Sequence, residues 1–395
     1  MSDGVPDGVD GAPDFDYLVL GAGPAGLQLG HHLATAGRSY LILEAADAPG
    51  TSFARFPHRR PPTADPVAGA GDRRDLRDPE IALRYDFVSL LTADGGRRFP
   101  GGGREGSPSP PSPNDLADYL GDYARHYGLA VRCGTEVVRV ERRRARAGAR
   151  AAGFRLLDRA GNAFTGRWLI VAAGLTRPAA PAAGDADALC AGCRFDDSIF
   201  AADCRPALTI QDRFPALTCE WESTDVPGLY FAGALTRSRD FKQSASGLIH
   251  GFRYNTRALH RMLEAKHHGR ELPWREVEPT AEGLAAATLA RVERSSALWH
   301  QHGFLHDVIV LAECGPARYY EELPLAYVQE SELGASSCYC TVALERDPLH
   351  PVVRRWNGPL LVAEHRLAEE AGAPAESLRR FFAAQLAGCL VGCRA

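Results

Sequence analysis

The chain of 395 residues, 45% hydrophobic and 24% charged, is long enough to bury a substantial core in one large domain or a few ordinary ones. A net charge of −4 leaves no electrostatic footprint for nucleic acid or an anionic membrane surface, and no apolar run is long enough to cross a bilayer. The expected partners are therefore small molecules, with neither nucleic acid nor membrane among them.

Residues 1–13 are acidic and rich in Gly and Pro, the opposite of a secretory signal, and read as a disordered lead-in. The ten cysteines are scattered, so the expectation is a cytoplasmic protein with reduced thiols. Asp16 to Leu20 is a short apolar β-run that enters the turn Gly21-Ala-Gly23-Pro24-Ala25-Gly26. Pro24 to Ala36 reads as a helix closed by Gly37, and Arg38 to Glu44 as a second strand ending in an acid. Each part has a task in holding a dinucleotide. Gly21 permits the tight turn, Gly23 lets the backbone approach a pyrophosphate, and Gly26 lets the helix pack close to the strand. The helix start offers free N–H groups and a positive dipole end to the phosphates, while Glu44 can accept hydrogen bonds from ribose hydroxyls.

Residues 51–66 are rich in Arg and Pro and show no clear period, whereas 81–91 returns to an apolar pattern. Residues 99–113 form a low-complexity loop without a phosphate-binding context. Asn114 caps a helix to Gly128 with Leu116, Tyr119, Leu120 and Tyr123 on one face. Short strands follow at 130–133, 136–141, 154–158 and 163–165. The arginine run 142–150 between two of them lacks interleaved aromatics and reads as a solvated hairpin turn. Trp168 to Gly174 and Gly228 to Gly233 are buried strands with small-residue ends. Ser244 to Lys266 reads as a long helix. From Glu276 onward the pattern is mainly helical, with one apolar run at Val308–Leu311.

Three glycine-ended strands in succession, at Gly21–Gly26, Ala172–Gly174 and Ala232–Gly233, resemble the FAD-binding domain of the glutathione-reductase and flavin-monooxygenase superfamily. A narrower resemblance is carried by Leu83 to Leu91, Asp118 to Tyr123, and above all Ser246-Gly-Leu-Ile-His-Gly-Phe-Arg-Tyr254 with Arg257 to Arg261. These stretches are similar to the FAD-dependent oxidoreductase domain-containing family, which includes the endoplasmic-reticulum flavoprotein associated with degradation and bacterial relatives. The resemblance implies an α/β fold: an FAD-binding Rossmann domain of glutathione-reductase type with a three-stranded meander, at 14–274, then a mainly helical C-terminal extension at 275–395. It implies FAD as cofactor. Val137 would face the adenine, and Ala173, Gly174, Gly233 and Ala234 would approach the cofactor with their backbone. Ser246 and Gly247, at the start of the next helix, would face the flavin. Where many members of the superfamily place Asp after the last strand's glycine, this chain has Ala234. The full architecture also carries an NAD(P)H domain with its own glycine fingerprint. Here only about fifty residues separate Gly174 from Leu229, too few for a layered nucleotide domain.

His250, Arg253 and Lys242 are the candidate catalytic residues beside the flavin. His250 could exchange protons if its pKa lies near working pH, and Arg253 could bind a carboxylate or steady reduced flavin. A purely structural role for His250 and Arg253, fixing the helix, weighs equally. The Cys190-x-x-Cys193 pair lacks a second ligand pair and reads as incidental, so no metal site is expected. His31-His32 and His267-His268 read as solvated or capping residues, and no Ser-His-Asp elbow is present. The expected function is an FAD-dependent oxidoreductase acting on a small organic substrate in biosynthesis, its flavin reduced by that substrate. One alternative is a flavin monooxygenase reduced by transiently bound NAD(P)H or a partner reductase. Others are a catalytically silent FAD-binding scaffold and a redox-neutral use of the cofactor.

Overall fold

A computed structural model describes residues 14–51, 77–92, 94–100, 112–143, 153–176, 193–240, 245–312, 315–336, 338–345, 349–367 and 373–389. The chain divides into two compact units. The first comprises Met1–Pro61, Leu90–Pro100 and Pro108–Arg239; the second comprises Pro62–Ser89, Gly101–Ser107 and Asp240–Ala395.

In the first unit, β1 (Phe15–Leu20), α1 (Pro24–Thr35) and β2 (Tyr40–Leu43) form the expected β-α-β start. The apolar run Tyr17-Leu-Val is fully buried, as are Leu27, Leu29 and Leu33 of α1. Gly30 is required here too, since a Cβ there would sit 2.6 Å from the Ile42 side chain. α2 (Pro113–His126) buries Leu116, Tyr119, Leu120 and Tyr123 as its periodicity requires. Its cap is Ser112 rather than Asn114: Ser112 and Asp115 form a reciprocal capping box, and Pro113 occupies the first turn.

The sheet is completed by β3 (Val131–Arg132), β4 (Val137–Arg142), β5 (Phe154–Asp158), β6 (Ala163–Val171) and β9 (Leu229–Phe231), in the order β3-β2-β1-β6-β5-β4 with β9 also on β6. The runs 163–165 and 168–174, expected as separate strands, are one continuous β6 as far as Val171. Gly166 does not break it. Its missing side chain makes room for Leu18, whose Cγ would lie 2.7 Å from a Cβ there. β6 pairs parallel with β1 along one side. Along the other side its first half pairs with the meander strand β5 and its second half with β9. Before β9, β7 (Leu208–Thr209) and β8 (Phe214–Pro215) make a short hairpin. Within residues 193–200 the pairing is limited to isolated bridges, Thr176 with Arg194 and Val140 with Phe200.

The second unit corrects the expectation of a mainly helical extension. Helices are present as α3 (Ile249–His268), α4 (Ala281–Arg294), α5 (Ser296–His300), α6 (Leu325–Glu330) and α7 (Pro374–Cys389). With them stands a six-stranded antiparallel sheet of β10 (Trp274–Val277), β12 (Ala317–Pro324), β11 (Leu305–Val310), β13 (Tyr339–Glu345), β14 (His350–Asn357) and β15 (Leu360–Arg366), in that spatial order. Residues 308–311, the one apolar run noticed, mark β11. In β11 and β12 buried polar residues interrupt the apolar pattern: His306, Asp307 and Glu322 are all nearly inaccessible. Ile309, Tyr319, Val342 and Val353 pack with Leu284, Leu378 and Phe382 in one core cluster, while Val308, Tyr320, Tyr339 and Trp356 form another. Cys133, Cys193, Cys204, Cys219 and Cys340 are not in disulfides, but Cys338 is disulfide-bonded, so the thiols are not uniformly reduced.

Candidate functional site: a dinucleotide cradle

In the first unit the C-terminal ends of the parallel strands β1, β2, β6 and β9 gather one group of expected residues at one edge of the sheet. This is where α/β folds place ligands. Gly21 adopts φ +103°, and a Cβ there would lie 2.9 Å from Ala173 Cα, so the turn admits no side chain. At Gly26 a Cβ would stand 2.0 Å from the Gly21 carbonyl oxygen. Gly23 differs from both. It is the N-cap of α1, with extended backbone and no side-chain cap, and a Cβ there would meet nothing within 4 Å. Packing therefore demands Gly21 and Gly26, whereas Gly23 is bare toward open space beside unsatisfied helix N–H groups. That is the geometry a pyrophosphate requires. Pro24 occupies the first helical turn, and Ala25 faces Gly233, where an added Cβ would approach to 2.8 Å.

Glu44 follows β2 and is half-buried. One carboxylate oxygen accepts the Ala22 N–H (2.7 Å) and the other the Ala46 N–H (2.9 Å). The acid is thereby pinned beside the glycine turn, and its remaining lone pairs can serve a ribose diol. Gly134 donates to Ala46 O and Thr135 to Glu44 O, both at 2.8 Å, which brings the start of the meander and Val137 next to the same acid. This pairing is long-range and left no sequence signal beyond Gly134, whose φ is +64°. Ala172 donates to Leu20 O, carrying Ala173 and Gly174 to the same edge. Gly174 (φ +76°) and Gly233 (φ +72°) turn the chain there, with Ala234 half-exposed beyond. The residues present thus fit a dinucleotide: a cradle without side chains, helix N–H donors and a pinned acidic acceptor.

The other expected site residues belong to the second unit, except Lys242, which lies outside the described residues. Ser246 and Gly247 precede α3. The Ser246 hydroxyl is fully buried, accepting from Asn255 Nδ2 (2.7 Å) and Gln301 Nε2 (3.1 Å), two residues the sequence reading did not single out. Arg253 is fully buried and donates to Ser89 O and Leu83 O, both at 2.8 Å, and to the Tyr254 hydroxyl at 3.0 Å. Its fork is committed to main chain, which favours the structural role over carboxylate binding. His250 packs edge-on against Phe87 (4.9 Å between centroids) and beside His300 (4.7 Å). Burial, reinforced by the Arg253 charge, pushes its pKa down to about 3, so it does not titrate near working pH. Cys190 lies outside the described residues and Cys193 is buried and not in a disulfide. Among the described residues no group of three or more His, Cys, Asp or Glu could hold a metal, and no helix is long and apolar enough to cross a membrane.

No family model matches the chain. It is 26% identical to FAD-dependent oxidoreductase domain-containing protein 2 of Mus musculus over 463 aligned positions, covering 81% of this chain and 68% of that protein. That alignment is longer than the chain itself, so the mouse protein carries inserted segments with no counterpart here. The Danio rerio protein of the same name is 36% identical over 151 residues, covering 38% of this chain and 22% of that protein. Among solved structures, a flavin-containing monooxygenase from Stenotrophomonas maltophilia aligns with a TM-score of 0.39 and 15% identity, covering 64% of this chain and 99% of that one. The chain is thus similar, over 81% of its own length, to a protein named as an FAD-dependent oxidoreductase.

Proposed function

We propose that this protein is an FAD-dependent oxidoreductase acting on a small organic substrate in the cytoplasm, within a biosynthetic reaction, and that the substrate itself supplies the electrons. The reading rests on one observation above all, the pinned Glu44 carboxylate beside the bare N-terminus of α1. When bound, FAD supplies the redox chemistry through its isoalloxazine ring. The chain's part is to hold it. The N–H groups of Gly23, Ala25 and Gly26 take the pyrophosphate, Glu44 takes the ribose hydroxyls, and Val137 lies at the adenine end. Ala173, Gly174, Gly233 and Ala234 offer backbone to the remainder. Ser246, Gly247, His250, Arg253 and Lys242 are proposed toward the flavin on the strength of the family resemblance.

Two facts support reduction by substrate. Only about fifty residues join the strand ending before Gly174 to that beginning at Leu229, too few for a second nucleotide domain, and the two strands in their described part make one short hairpin. The relative's inserted segments are consistent with a domain this chain does not carry. An anaerobic visible spectrum of the purified protein, before and after NADPH, tests the proposal. The expected result is a yellow protein that stays oxidised. Prompt bleaching would move the monooxygenase reading ahead, and a colourless protein that takes up no FAD would overturn both.

A further inference from the structure

The first unit holds a cavity of about 1130 Å³ lined by the loop after β2, one face of α2 and the segment through β3. The glycines, the acid and the other backbone of the dinucleotide cradle are not in its lining. On α2 the lining residues Asn114, Asp118, Gly121 and Arg125 recur at helical spacing, on the face away from the buried Leu116, Tyr119, Leu120 and Tyr123. Gly121 is the informative one. It sits in the middle of a helix, where glycine costs stability relative to alanine, yet a Cβ there would meet nothing within 4 Å. Packing within the chain does not demand it, just as packing does not demand Gly23. A bare stretch of helix facing an open cavity suits a molecule lying against the backbone.

The charge of the lining sets the class of that molecule. Asp47, Asp118 and Asp122 stand against a single cation, Arg125. Arg125 is ion-paired to Asp122, which also has Arg97 at 3.6 Å. Among the described residues Asp47 and Asp118 have no ion-pair partner. Pro49, Leu129 and Val131 add an apolar wall. Two uncompensated carboxylates beside such a wall favour an organic cation with a hydrocarbon body, and they repel phosphate and carboxylate groups. A bare metal ion is not served, since no group of three or more His, Cys, Asp or Glu among the described residues could hold one.

We propose that this cavity is an accessory binding site for a primary ammonium ion carrying an apolar chain or ring. Asp47 and Asp118 hold the charge, and the body lies against Gly121, Pro49 and Leu129. The site shares a loop with the cradle. Ala48 and Pro49 line the cavity, while in the same loop Ala46 donates to Glu44 (2.9 Å) and Gly50 to Ala22 O (3.1 Å). An occupant therefore touches the loop that pins the glycine turn without entering the space for the dinucleotide.

The test is isothermal titration calorimetry on the full chain with FAD in excess, using phenethylammonium and hexylammonium as probes. 2-Phenylethanol and phenylacetate serve as the neutral and anionic counterparts. The expected result is saturable binding of at least one ammonium, about fivefold or more tighter than the alcohol, with no uptake of phenylacetate. Asp47→Asn and Asp118→Asn should each weaken the ammonium about fivefold, the worth of one charge at contact distance in water. Gly121→Leu should abolish binding by filling the space, with a thermal midpoint that does not fall. Failure of both ammonium ions to bind would overturn the proposal, as would equal binding of the alcohol. So would undiminished binding in a folded Gly121→Leu or, where that variant does not fold, in the double variant Asp47→Asn with Asp118→Asn. Probe binding is read whether or not the chain takes up FAD, so failure here is separable from failure of the oxidoreductase reading.

Discussion

Gly23 and Gly26 lie three positions apart in one turn, yet a methyl group would act on them in opposite ways. In Gly26→Ala the new Cβ would press on the Gly21 carbonyl oxygen, which belongs to the backbone and cannot step aside. The expected cost is about 2–3 kcal/mol of stability, read as a lower denaturant midpoint, together with loss of FAD. In Gly23→Ala the methyl meets nothing within the chain, so stability should change by no more than about 0.5 kcal/mol. Flavin content should nonetheless fall sharply, because the space it fills is the space proposed for the pyrophosphate. Normal flavin content in purified Gly23→Ala would refute that assignment. Glu44→Gln replaces an acceptor that serves two N–H groups at once with an amide having one oxygen. The loss of one charge-assisted bond, about 1.5–3 kcal/mol, should weaken FAD roughly tenfold or more in a fluorescence titration.

At the scale of elements, β12 is organised by Glu322, a residue at φ +63° with its side chain 3% exposed. Burial would raise its carboxyl, but Arg257, Arg261 and Arg291 outweigh that and hold it down to about 2. Arg257 approaches to 2.5 Å, Arg291 to 3.3 Å and Arg261 to 3.5 Å, and Asp307 accepts both the Glu322 N–H and the Tyr319 hydroxyl. Glu322→Gln would leave three buried or half-buried guanidinium groups short of their counter-charge. The expected cost is about 3–5 kcal/mol in denaturant unfolding, and a loss below 1 kcal/mol would show that the cluster is not a structural keystone. The same cluster explains what sequence reading could reach. The cradle was legible because its parts, Gly21 to Glu44, are contiguous and each glycine answers a local steric demand. The antiparallel sheet was not, because its acids are balanced by arginines from α3 and α4 and cannot be told from surface charge along the chain. For the same reason Asn255 and Gln301, which fix Ser246 from nine and fifty-five positions away, had no local signature.

Across the whole molecule, buried and half-buried neutral histidines give stability a definite dependence on pH. His31 in the first unit is lowered by burial, only partly offset by Asp94. In the second, His250 falls to about 3 and His306 to about 4, and His300 lies well below 6.5, burial being the largest cause in each. Between 6.5 and those lowered values the unfolded chain binds protons that the folded chain refuses, so folding stability is present above 6.5 and is lost as pH falls through this window. Each refused proton costs about 1.4 kcal/mol per pH unit. Glu322, held down by its arginines, adds its own loss only below 4.5, while Glu321, raised by burial, opposes the trend slightly. Urea midpoints should therefore decline steeply from pH 6.5 to pH 5, before most carboxylates titrate. His306→Gln, which keeps a side-chain donor for Phe304 O, should flatten that decline by about one proton's worth. A midpoint that stays level across the window in the wild type would mean that these imidazoles charge without unfolding. The packing around His300, His306 and His250 would then be looser than their burial describes.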